Sequence, residues 1–466
     1  MTERRRSGRP VAAALVGLAL LSAPVPSTPA AAQQETMGQG VFFPETFTLS
    51  NGMQVVAVVN RRVPVVAHML MYKVGAADEP RGKSGIAHYL EHLMFKGTET
   101  RAPGEFSRIV ARNGGRDNAF TSWDYTGYYQ TIAADRLETV MRMEADRMAN
   151  LRLTDEVTAP ELQVVLEERR QTVSSSPARR LGEEVSAALF VHHPYGTPII
   201  GWQDEVAGLT REDAEAFYRQ WYAPNNAVLL VSGDVDLERF RALAEEVYGR
   251  IPARPVPTRT RVAEPRLETA RRVVLRDAEV RQPAFQRYFL APSYSRGATE
   301  HAYPLQVLAE IMGGETGRLY QSLAVEQKVA TSASMSYGAD VFDLSSVGVY
   351  ASPAPSATVE QVEAAVEAEL LKLLKDGVTV AEVERAKRRL RFEAVYARDS
   401  VFGPARTLGT ALATGQSVED VEEWPSRIAA VTVEQVNAAA RAVLGTSGHV
   451  TGLLLPVAGD RAEAVR

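Results

Sequence analysis

The stretch from Lys83 to Gly97 constrains this chain more than any other, because it contains His88-x-x-Glu91-His92 between Ser84 and Gly97. Ser84 suits a helix N-cap and Gly97 a C-terminal stop. Ile86, Leu90, Leu93 and Met94 fall on a spacing that buries one stripe of a helix. On such a helix His88 and His92, four apart, stand one turn apart on one side, and Glu91, three after His88, shares that side. Two neutral imidazoles so placed can both reach a zinc ion of tetrahedral preference. A carboxylate beside them can serve as general base toward water. Two histidines alone would read more plainly as a hydrogen-bonded pair in a core helix.

The full three-residue pattern favours the metal, since it is the inverted zinc-binding motif. The chain has no Cys, which excludes disulfides and thiolate ligands and leaves metal binding to His and carboxylates. A catalytic zinc keeps three protein ligands and one open position, so two imidazoles leave one ligand to be found elsewhere. With 45% of its 466 residues hydrophobic and 23% charged, the chain is an ordinary globular one with enough residues for two or more cores. Its net charge of −5 points to no nucleic-acid partner. Arg4 to Arg9, the apolar run Val11 to Leu21 and Ala30-Ala31-Ala32 read as a signal peptide over 1–32, cleaved before Gln33. That implies export, to the periplasm; an uncleaved anchor is the alternative. The apolar run is too short to span a bilayer, and no other stretch reaches that length, so no transmembrane segment is expected in the mature chain.

After a leader over 33–40, Thr46 to Val59 alternates around the turn signal Asn51-Gly52. Val65 to Val74 reads as a central strand in which His68 is a packed residue. Pro103 to Asn113 and Leu137 to Met148 carry helical spacing. Between them, Gly114 to Tyr129 turns at two glycines and is then rich in Thr and aromatics, as strands are. Glu161 to Arg170 reads as a helix on which Glu161 and Glu168, seven apart, share a face. Each Glu taken alone reads as solvated surface.

Together these segments resemble the pitrilysin-type inverted-motif zinc metallopeptidases, the family of insulin-degrading enzyme and mitochondrial processing peptidase. The resemblance implies His88 and His92 as zinc ligands and Glu91 as catalytic base. It implies Glu168, 76 residues after His92, as the third ligand, with Glu167 as the competing choice. Glu161 would then stand behind the ligands, orienting a ligating His or tuning the water. Gly114 to Tyr129 resembles the family's substrate-binding strand, an Asn-Ala-x-Thr pattern at a sheet edge beside the zinc, where Asn118 and Ala119 contact a peptide added to that edge. His193-Pro194-Tyr195-Gly196 and Gly201-Trp202 resemble the loop after the ligand helix, with His192 and His193 as loop residues.

Pro252, Pro255, Pro257 and Pro265 mark 252–265 as a linker, after which the pattern restarts. Val431 to Ala438 leading into Val450 to Leu455 echoes Leu209 to Ala216 leading into Val228 to Val231, 222 residues earlier. The expected fold is α+β: two homologous α/β-sandwich domains, mostly antiparallel sheets with helices packed on them, related by internal duplication. These are a zinc-binding peptidase domain over 40–251 and an inactive homologous domain over 266–460. One zinc per chain is expected, because the second half has only His301 and His449, with no acidic residues at ligand spacing.

One departure bears on function. In the family the later domain, or a partner chain, supplies an Arg and a Tyr seven apart. The matching stretch here begins at Arg318-Leu319-Tyr320 and holds Ala324 and Thr331 at those two positions. The resemblance therefore implies a homologous partner subunit that supplies the Arg/Tyr pair. The function it implies is a zinc-dependent endopeptidase acting on peptides or unfolded segments. A non-catalytic scaffold or assembly subunit is the alternative, against which the intact motif weighs.

Overall fold

Two sheets with matching strand order organise the chain in a computed structural model that describes residues 40–457. The signal peptide expected over 1–32 and the last residues of the domain expected to reach 460 lie outside the described residues. The first sheet runs β1-β2-β6-β3-β5-β4. Its strands are β1 (Glu45–Thr48), β2 (Gln54–Val59), β3 (Val65–Tyr72), β4 (Arg116–Thr121), β5 (Thr126–Ala133) and β6 (Ala227–Gly233). The second sheet runs β7-β11-β8-β10-β9. It comprises β7 (Arg271–Asp277), β8 (Ala284–Ala291), β9 (Ala330–Tyr337), β10 (Ser345–Pro353) and β11 (Val450–Pro456). Without β1 the two orders coincide. In each, the last strand enters parallel to the first core strand (β6 beside β2, β11 beside β7), and all other neighbours are antiparallel. Ala227 and Val450, which open β6 and β11, are 223 positions apart, so the chain is an α+β fold of two duplicated halves. β6 is buried on both faces, which explains its unbroken apolar run.

The longer helices are α1 (Ile86–Leu93), α2 (Glu105–Arg112), α3 (Leu137–Asn150), α4 (Asp155–Arg169), α5 (Pro177–Leu189), α6 (Arg211–Trp221), α7 (Leu237–Val247), α8 (Ala302–Met312), α9 (Val359–Asp376), α10 (Val380–Ala397), α11 (Gly403–Ala413) and α12 (Val433–Leu444). Val55, Leu70, Tyr72 and Leu229 form one core with α1 to α4, α6 and α7. The opposite face, with Met69, Met71, Val228 and Leu230, is covered by α11 from the second half. The exchange is reciprocal. α5 sets Leu181, Val185 and Leu189 against Val450 and Leu454 of the second sheet, whose other face carries α8, α9, α10 and α12. Gly452 permits that approach: a Cβ there would stand 2.6 Å from Val185 Cγ2.

The proline-marked segment is not a free spacer. The side chain of Arg261 within it is only 2% exposed and is held by Asp78 and Asp124. Asp124 Oδ2 also accepts from Phe342 N of the second half at 3.1 Å, so one carboxylate ties both halves to the connection.

Two local expectations change. The cap of α1 is Gly85, at φ 87°, rather than Ser84. Ser84 Oγ is occupied by Trp202 N at 2.9 Å, and the Glu79 carboxylate instead takes the N–H groups of Gly85 and Ala87 at 3.0 and 2.9 Å. α1 ends at Leu93, and Gly97 lies beyond it in a loop. The Gly114–Tyr129 stretch is a hairpin of β4 and the first half of β5. No helix among the described residues is long and apolar enough to cross a membrane.

Candidate metal centre

α1 buries Ile86, Ala87, Leu90 and Leu93, which leaves His88 and His92 on the side that lines a cleft. α4 packs across α1 with Val165 in the core, and its two carboxylates one heptad apart reach the same place from opposite ends. His88 Nε2 and His92 Nε2 lie 3.7 and 3.3 Å from Glu168 Oε2. One donor atom from each of His88, His92 and Glu168 falls within 4.8 Å of the others. A tetrahedral ion about 2.1 Å from each donor holds those donors roughly 3.4 Å apart, so the separations suit zinc. Glu167, the competing choice, is turned to solvent, where Arg170 and Gln171 hold it at 2.7 and 2.5 Å.

Glu161 accepts from His92 Nδ1 at 2.9 Å and also from Lys96 Nζ. That contact places the His92 proton on Nδ1 and turns Nε2 toward Glu168. His88 Nδ1 is buried with no partner among the described residues. Burial, and then the neighbouring His92, lower the His88 pKa to about 4. Burial opposes the charge on His92 too, but its hydrogen bonds to Glu161 and Glu168 prevail and raise it to about 9. The hydrogen bond from His92 holds Glu168 below the usual carboxylate range. Two imidazoles facing the Glu168 carboxylate, with Glu161 behind His92, form a donor set that suits a dication.

Glu91 is 9% exposed. Burial raises its pKa, partly offset by a hydrogen bond from Thr121 Oγ1 to Oε2 at 2.6 Å. β4 is an edge strand running beside α1. Its Ala119 packs toward the core beneath α1, whereas Phe120 packs toward the opposite core. Asn118 accepts from the N–H of Ala119 at 2.9 Å. His88, Glu91, His92, Asn118, Ala119, Thr121 and Glu168 share one cleft of about 890 Å³, and the second sheet contributes Gln286 and Tyr288 to its wall.

Lys96, Gln286 and Tyr288 carried no signal in the sequence. Thr121 did, as the Thr of the Asn-Ala-x-Thr edge pattern that Asn118 and Ala119 open, two residues from Ala119 on one face of a strand. Arg318 lies outside the cleft, held by Glu382 at 2.5 and 2.6 Å, and neither Tyr320, Ala324 nor Thr331 lines the cleft. His68 is buried in β3 between Gln130 and Tyr248, and His193 is buried in its loop beside Asp343.

Residues 54–202 match the family model described as insulinase (peptidase family M16), and residues 208–390 match that of the peptidase M16 inactive domain. The zinc protease PqqE of Helicobacter pylori is 34% identical over 74% of this chain and 77% of its own length. An uncharacterized zinc protease of Mycobacterium leprae is 32% identical over 85% of this chain and 88% of its own. The crystal structure of a protease from Helicobacter pylori superposes with a TM-score of 0.83 at 29% identity, covering 89% of this chain and 99% of that one.

Proposed function

The chain belongs to the M16 peptidase family, and from that premise we propose that it is a zinc-dependent endopeptidase acting on peptides or unfolded segments. The observation that carries the reading is the convergence of His88, His92 and Glu168, with Glu91 beside them in one cleft. Those three residues would hold a single zinc, and Glu161 keeps His92 in the tautomer that ligation needs. Zinc, when bound, supplies Lewis acidity toward the scissile carbonyl and toward water. Glu91 takes the proton from the attacking water and returns it to the leaving amine. The peptide lies extended along the edge of β4, pairing its backbone past Asn118 and Ala119, which grips many sequences alike. Gln286 and Tyr288 of the second sheet line the same cleft, so a peptide held there would meet both halves of the chain.

A homologous partner subunit completes the site in this reading. Ala324 and Thr331 stand where an Arg/Tyr pair is expected, and Arg318 is committed to Glu382. The domains are 40–251 for the metal-bearing half and 266–460 for its inactive homologue, and the N-terminal signal directs export to the periplasm.

The test is metal analysis and peptide cleavage by the wild-type and Glu91→Gln chains, each alone and with a homologous partner. Both should hold one zinc. Cleavage should fall on the order of 10³-fold in the variant. His88→Ala should lose zinc and cleavage together. Wild-type protein that purifies without zinc and cannot be loaded would point instead to the scaffold role.

A further inference from the structure

We propose that Thr121 is the positioning residue for Glu91, joining the peptide-binding edge of the first sheet to the catalytic base. The inference rests on the reading of Glu91 given above. The Thr121 hydroxyl gives Glu91 its one side-chain hydrogen bond among the described residues, at 2.6 Å on Oε2. A glutamate has three rotatable side-chain bonds, and a cleft wall alone would let its carboxylate swing. With Oε2 engaged, Oε1 is the oxygen left to a water.

Threonine suits this task for two reasons. Its branched Cβ restricts χ1, so the hydroxyl direction follows the backbone. That backbone is itself fixed, because Thr121 pairs with Thr126 of β5, and Thr126 Oγ1 is bonded to Val74 O at 3.0 Å. The outer edge of β4 is where a peptide would add, two and three residues from Thr121. A bound peptide stiffens the strand, the strand fixes the hydroxyl, and the hydroxyl fixes the base. Geometry of this kind governs turnover more than affinity.

The experiment compares Thr121→Val, Thr121→Ser and Glu91→Gln in whichever form of the wild type cleaves peptide, alone or with its partner. Zinc content, melting temperature, KM and kcat are each measured. Thr121→Val, which keeps the shape and removes the donor, should hold full zinc and leave KM within about threefold, while kcat falls roughly 10- to 100-fold. Thr121→Ser should recover most of that loss. Adding Thr121→Val to Glu91→Gln should lower kcat no further, because both act through one carboxylate. Native kcat in Thr121→Val beside an inactive Glu91→Gln overturns the proposal and leaves the base assignment standing. Loss of zinc or of melting temperature in step with kcat, unrescued by Ser, also overturns it, in favour of a packing role. Native cleavage by Glu91→Gln removes the base assignment, and this inference falls with it.

Discussion

Glu161 does for His92 what no described residue does for His88. It accepts from Nδ1 and is itself held by Lys96, so one imidazole of the pair is pre-set and the other is left to the ion. The affinity for zinc should therefore depend on a residue that never touches it. Glu161→Ala should weaken binding about 10- to 100-fold in a chelator competition, and Glu161→Gln, which keeps an acceptor, should weaken it less. Equal affinity in all three proteins would show that Glu161 serves only Lys96. His88, Glu91 and His92 were legible in the sequence because helical spacing alone puts them on one side. Glu168 and Glu161 were not legible in that way. Nothing local says that α4 crosses α1, and only the family resemblance connected residues 76 positions apart. Thr121 was half legible: alternation from Ala119 gives its face, but its contact with Glu91 depends on how close β4 runs to α1.

Elements show the same limit at their ends. The span of α1 could be read from its apolar stripe, but its cap could not, since Ser84 is drawn away by Trp202 and Glu79 comes from a preceding turn. α10 begins more regularly, with Thr379 and Glu382 forming a reciprocal cap. Glu382 also receives Arg318 from the segment before β9. Burial opposes its charge, but the bonds from Arg318 and Thr379 outweigh that and bring its pKa from 4.5 to about 2. A carboxyl whose pKa is lower in the folded than in the unfolded chain stabilises the fold above the unfolded value. That contribution fades as pH falls from 4.5 toward 2. With partial exposure discounted, it amounts to ~1–3 kcal/mol. Glu382→Gln should be less stable than wild type by about that much at pH 7 in urea unfolding, and the gap should shrink steadily below pH 4.5 and close only near pH 2. A gap that keeps its full size down to pH 2 would mean that the cap, and not the charge, supplies the stability.

At the scale of the whole molecule, the duplication was readable in the repeated approach to β6 and β11, whereas the exchange of helices was not. An amphipathic helix announces that it has a buried face, not which sheet it covers. α5 and α11 each cross to the other half, so neither half encloses its own core. Met69, Met71, Val228 and Leu230 are each at most 1% exposed beneath α11. Uncovering these four side chains would cost about 6–12 kcal/mol at roughly 1.5–3 kcal/mol each. That equals the whole stability of an ordinary domain, about 5–15 kcal/mol. Residues 40–251 produced alone should therefore aggregate or lack fixed packing, with near-UV circular dichroism lost and no tight zinc binding. Residues 252–466 should fail likewise, for want of α5. Produced together as two chains, they should regain zinc and cooperative unfolding, because the exchanged helices supply the joint cores without the covalent connection. An N-terminal half that is soluble, unfolds cooperatively and binds zinc by itself would show that α11 is dispensable, and the halves would then have to be regarded as independent domains.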